Sequence, residues 1–124
     1  MSAQSAFREM TEHERQMLLK LLEPPFPGRD TLLAQIFSCR VRSWNGANGS
    51  FEINYDGPSH PEIGRLALDA WDTDLDGLPI EVLLHVIDGK LSSLEIVTFS
   101  DGDLNKPLDP TKWTFRPPGT GIEG

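Results

Sequence analysis

The sequence is poor in cysteine, tyrosine and basic residues, and it has no long apolar run. Cys39 is the only cysteine among 124 residues. No intramolecular disulfide can form, and a multi-cysteine zinc site is excluded. This cysteine usage suits a reducing cytoplasm. The apolar runs span only a few residues, far short of the about 20 that cross a bilayer as a helix. The first fifteen residues, MSAQSAFREMTEHER, lack an apolar segment and carry acids early, unlike a secretory leader. The expectation is a cytoplasmic protein with no membrane partner.

Basic residues are scarce where acids are dense. The formal charge is −8. Residues 52–109 hold thirteen acids against Arg65, Lys90 and Lys106, a net of −10, whereas 1–51 and 110–124 are each net +1. Such a balance disfavours nucleic acid, whose binding rests on neutralising phosphates. It favours a basic protein partner or a cation. The plain alternative is that acidic turns keep a small protein soluble.

What the chain does have is turn residues, 10 Pro and 11 Gly, between short periodic segments. Its length implies one domain. We read residues 1–10 as a flexible arm, 11–116 as a single domain and 117–124 as a disordered tail. Thr11-Glu-His-Glu14 is a capping box opening a helix to Leu22, with Met17, Leu18, Leu21 and Leu22 as its apolar stripe. Glu23-Pro-Pro-Phe-Pro-Gly28 stops it. Asp30 is placed to cap a second, short helix over Thr31 to Ile36. From Phe37 the period changes to two: Phe37, Cys39 and Val41 alternate with polar residues, and Phe51, Ile53 and Tyr55 do the same. Arg65 to Trp71 reads either as a third strand or as a short helix. Ile80 to Ile87 and Leu94 to Phe99 flank Asp88-Gly89, a strong hairpin signal. Apolar residues on both faces of Ile80 to Ile87 imply a strand covered on more than one side. Trp113 and Phe115 are suited to pinning the tail onto the domain. The fold class expected is α+β: two N-terminal helices packed on an antiparallel meander of four to five strands.

Chemistry-bearing patterns are few. Asp72-x-Asp74-x-Asp76-Gly77 matches the first half of an EF-hand loop, but position twelve is Leu83 and the following run is a strand. The competing reading is an acidic hairpin turn in which Asp76 bonds local backbone and Gly77 is left-handed. His85 and Glu81 lie on one strand face but about 13 Å apart, too far for a shared ligand. A sheet histidine, partly exposed or hydrogen-bonded, is favoured. His13 and His60 have no companion. Cys39 is in phase with buried neighbours and so inert. Ser92-Ser93 lack a nucleophile-elbow context. Arg40, Arg42 and Trp44 form a small basic-aromatic patch that either binds an acidic group or pairs with acids such as Glu52 on the next strand. No set of base, nucleophile and electrophile can be assembled, so the expectation is a non-enzyme with no cofactor and no dedicated metal site.

Several stretches carry a resemblance. They are Phe26-Pro-Gly-Arg-Asp30 with Leu33-x-Gln35, Val41, Asp74-x-Asp76-Gly77-x-Pro79-Ile80, Leu83-Leu84-His85-Val86, and Asp88-Gly89-x-Leu91-Ser92-x-Leu94-Glu95. Over residues 11–115 the chain resembles a family of small uncharacterised bacterial proteins, and the LLHV…DGxLSxLE run is the most specific part. Relatives tend to carry a longer, often cysteine-containing turn where this chain has Asn45-Gly-Ala-Asn-Gly49. The resemblance implies no activity. By size and layout alone the chain also resembles immunity proteins encoded beside bacterial contact-delivered toxins.

The leading expectation is therefore a binding protein that neutralises a basic toxin domain through an acidic face. Asp69, Asp72, Asp74, Asp76, Asp101 and Asp103 would supply the charge, and Trp71 an aromatic anchor. The alternatives are an acidic-loop calcium or small-ligand module, and a housekeeping α+β protein. The two acidic stretches, 72–77 and 101–103, should share one edge of the fold, opposite Asp88-Gly89.

Overall fold

The computed structural model describes residues 6–43, 49–59, 63–99 and 104–116. Two helices precede a five-stranded antiparallel sheet, an α+β fold. Helix α1 is Glu12–Leu21. The Thr11 side chain accepts from the Glu14 amide while the Glu14 carboxylate takes the Thr11 amide, so the capping box forms as its spacing demands. Helix α2 is Arg29–Ile36. It starts earlier than Asp30 suggests. Gly28 adopts φ 90° and serves as the N-cap without a side-chain bond, a conformation open to glycine at little cost. Asp30 sits in the first turn.

The strands are β1, Arg40–Ser43; β2, Phe51–Asn54; β3, Leu66–Thr73; β4, Pro79–Ile87; and β5, Lys90–Thr98. Residues 66–73 are thus strand rather than helix. Spatial order is β1-β2-β5-β4-β3. The sheet joins a β1–β2 hairpin to a β3–β4–β5 meander, with β5 next to β2. Phe37, expected in phase with the first strand, is instead the C-cap of α2 and 80% exposed, because the strand starts only at Arg40. Cys39 is buried as expected.

Asp88 and Gly89 have φ 54° and 73° and are flanked by the pair Ile87↔Lys90. Positive φ at both positions is the type I′ geometry that matches strand twist. Across β4–β5, His85 pairs with Ser93 but Val86 pairs with Leu91, leaving Ser92 as the extra residue of a bulge. The bulge explains how Leu91 and Leu94, three apart, are both buried on one face.

That face is the core. It gathers Val41, Phe51, Ala70, Ile80, Val82, Leu84, Val86, Leu91, Leu94 and Ile96 against Met17, Leu18, Leu21, Leu32 and Ile36 of the helices. Gln35 of α2 is embedded there, 1% exposed. Its Nε2 donates to the Gly89 carbonyl at 3.0 Å, and its Oε1 accepts from the Leu91 amide at 2.9 Å. The crossover between β2 and β3 reaches the same turn, where the Gly89 amide donates to the Gly64 carbonyl at 2.9 Å.

Both sheet edges are touched by the chain's ends. Arg8 and Val41 exchange two backbone bonds of 2.8 Å, Met10 is buried, and Arg42 lies 4.4 Å from the Phe7 ring centre. The segment expected as a flexible arm is therefore docked from Phe7 onward. At the other edge, Trp71 donates to the Thr114 carbonyl at 2.7 Å and accepts from its amide at 2.9 Å. Trp113 and Leu108 are buried beneath this segment, so Trp113 does pin the tail. Phe115 is exposed, with the Lys20 ammonium 5.5 Å from its ring centre.

Replacing Gln35 by Leu keeps the volume roughly but strips partners from a buried carbonyl and a buried amide. Urea denaturation should show a loss of about 2–4 kcal/mol.

Candidate functional site: the open face of the sheet

Strand alternation sends two sets of side chains in opposite directions. Even-numbered residues of β3 and β4 enter the core. Odd-numbered ones, Asp69, Trp71, Glu81, Leu83, His85 and Ile87, lie on the other face. The registers Trp71↔Glu81↔Val97 and Asp69↔Leu83↔Glu95 place these in adjacent rows. No described element covers this face, and its residues are half-buried or exposed. The apolar residues on both sides of β4 do not mean that both sides are covered. Leu83 and Ile87 are half-buried on the open side.

The open face has a basic end and an acidic end. At the basic end, Arg42 bonds Glu52 through Nε at 3.1 Å. Arg42 of the basic patch read in the sequence is therefore drawn into cross-strand pairing, Arg40 is exposed, and Trp44 lies outside the described residues. At the acidic end, Trp71 Nε1 donates to Asp69 Oδ2 at 3.2 Å. The Trp71 and Phe99 rings are 6.1 Å apart, tilted by 33°, within the range of favourable aromatic pairs. Phe99 is 54% exposed. His85 Nε2 lies 3.1 Å from Glu95 Oε1, so the histidine is hydrogen-bonded across the sheet, as expected of a sheet histidine. Glu81 has its pKa pushed upward, first by partial burial, then by a hydrogen-bond contact and repulsion from Asp69, and by repulsion from Glu95. Among the described residues no lysine or arginine makes an ion pair with Asp69, Glu81 or Glu95.

The acidic turn between β3 and β4 is built differently. Asp72 and Asp74 are buried, 8% and 7% exposed. Asp72 Oδ1 takes the Lys106 ammonium at 3.2 Å and the Thr73 amide at 2.7 Å. Asp74 Oδ1 accepts from the Asp76 and Leu78 amides at 2.8 and 2.9 Å. The residue that organises the turn is thus Asp74, not Asp76, because only its side chain points back over the turn. Gly77 has φ 83°, the left-handed conformation expected. Asp76 is exposed and meets the Asn105 side chain at 3.3 Å. Among the described residues no three metal-ligating side chains converge. The three carboxylates of the half EF-hand pattern are divided among Lys106, two turn amides and Asn105.

Of the seven residues expected at a partner surface, Asp69 and Trp71 lie together on the open face. Asp72 and Asp74 are withdrawn from it by burial: Asp72 shares β3's inward parity with Ala70, and Asp74, just past the strand, is folded over the turn amides. Asp76 is at the turn tip, at the end of β4 opposite Asp88-Gly89. Asp101 and Asp103 lie outside the described residues, as does His60. Glu81, Glu95 and Phe99 are additions, and the signal for them was the odd-number parity with Trp71. Cys39 has its thiol pKa pushed up by burial, opposite to what a nucleophile needs.

Fold and face together define a small α+β domain with one sheet surface that no described element covers. Residues 7–106, which include both helices and all five strands, match the family described as "Domain of unknown function (DUF6984)". The chain belongs to that family. No curated protein and no solved structure matches it. No helix among the described residues is long and apolar enough to cross a membrane.

Two outcomes are expected. Asp74→Ala removes the acceptor of two turn amides and should cost about 1–3 kcal/mol, while Asp74→Asn, which keeps an acceptor oxygen, should cost less by denaturant titration. Because the Glu81 pKa is raised in the fold, its stability contribution is full at acid pH and is lost as pH rises through that value. Glu81→Gln should therefore raise Tm slightly, by about 1–3 °C, at pH 7 and not at pH 3.5.

Proposed function

We propose that this chain is a non-enzymatic, cytoplasmic binding protein that takes a basic protein domain on the acidic end of its open sheet face. The most concrete form of this reading is an immunity-type inhibitor of a bacterial toxin domain. One observation carries it. Asp69, Glu81 and Glu95 sit on a face that no described element covers, beside the exposed Phe99 and the half-buried Trp71, and no lysine or arginine of the described residues neutralises them. Aromatic anchors ringed by charge are typical of binding hot spots, and an uncompensated acidic patch accelerates encounter with a cationic partner. The cation-binding alternative has less behind it: Asp72 and Asp74 each keep one buried oxygen without a hydrogen-bond partner, but among the described residues no three metal-ligating side chains converge there.

The test uses the triple variant Asp69→Asn, Glu81→Gln, Glu95→Gln. Wild-type protein immobilised against extract of its own host should capture a basic protein, with retention falling as salt rises. The triple variant, folded with a melting transition no lower than that of the wild type, should lose that protein by about tenfold or more. Equal capture by both proteins would refute the assignment to this face.

A further inference from the structure

The outer edge of β3 is only partly occupied. Trp71 directs both its amide and its carbonyl away from β4, to Thr114. In an antiparallel ladder such groups alternate along the strand. Ala67 and Asp69, which share that parity, must therefore direct theirs outward too. No described backbone group bonds them on that side. The described part of the tail supplies one bridge, at Thr114, before Phe115 and Arg116 form a bend in which the Thr114 hydroxyl donates to the Arg116 carbonyl at 2.8 Å. Among the described residues the edge is thus capped at Trp71 and not at Ala67 or Asp69. Bare edges of this kind are templates for strand addition.

We infer that β3 is a strand-addition edge: an extended basic segment of the partner pairs with residues 66–69, its cationic side chains falling beside Asp69 and Glu81. This rests on the acidic-face reading and adds its geometry. Charge selects the occupant. A residue directly opposite Asp69 projects onto the same open face, in the same row as Glu95 and one step from Glu81. A lysine or arginine there meets carboxylates that no lysine or arginine of the described residues pairs. A second copy of this chain would instead set two Asp69–Glu81–Glu95 clusters side by side, and like charges across a strand pair are destabilising.

The probe is a fluorescein-labelled peptide of alternating lysine and valine, read by anisotropy against the full chain. With its lysines on the open face, the lysine amides point toward β3 and the valine amides point away. Methylating the lysine backbone nitrogens should weaken binding by about tenfold or more, the loss of two or more hydrogen bonds. Methylating the valine nitrogens should leave it unchanged. Ala67→Pro, which removes one outward amide while sparing the bonds to β4, should weaken the unmodified peptide likewise. Equal affinity of the two methylated peptides would overturn strand addition while leaving the acidic face standing, since only the triple variant tests that. Absence of binding by any peptide would also overturn it, as would a dimer in sedimentation that Ala67→Pro dissociates.

Discussion

One buried side chain ties the layers together. Gln35 reaches from α2 into the end of the central hairpin and satisfies the Gly89 carbonyl and the Leu91 amide at once. These groups lie where the turn hands over to β5, and the adjoining bulge would otherwise leave them facing an apolar layer. A buried amide or carbonyl without a partner is costly, so the helix pair and the hairpin are held in one relation. The crossover from β2 meets the same turn through Gly64. Helices, crossover and sheet are thus referred to a two-residue loop.

The consequence is a sheet with unequal faces. The helices cover the side carrying Ile80, Val82, Leu84 and Val86. The Ser92 bulge keeps Leu91 and Leu94 on that side despite their odd spacing. The remaining side receives Trp71, Glu81, Leu83, His85, Glu95 and Phe99. It has too much apolar and aromatic surface for a purely solvating face and too many acids without a lysine or arginine partner among the described residues for a core. Asp72 differs from Asp69 in strand parity and becomes an internal group holding Lys106, while Asp74, one residue past the strand, is buried holding a tight turn. Asp69 becomes a surface charge beside a tryptophan.

Much of this was legible from residues alone. The capping box at Thr11 and Glu14 reads directly, since helix caps depend on contacts three residues apart. Asp88-Gly89 reads as directly, because few residues tolerate positive φ in succession. Less was legible where non-local pairing decides. Phe37 carries a strand-like pattern with Cys39 and Val41, but the C-terminus of α2 claims it. Arg65 to Trp71 was ambiguous because Ala67 and Ala70 suit a short helix. Only pairing with β4 makes the segment a strand. That ambiguity hid the parity that separates Asp69 and Trp71 from Asp72, so a surface drawn through all three joined two opposite faces.

The sequence by itself determined the local devices: two helices, the alternating strands, the hairpin turn and the concentration of acid between residues 52 and 109. These follow from spacings that a few neighbouring residues set. Tertiary structure alone decided which side of the alternation is covered, where Ser92 breaks it, and that Gln35, an unremarkable polar residue in a short helix, is buried at the hinge of the fold. Such outcomes depend on strand order and on contacts more than fifty residues apart in the chain, which no local pattern encodes.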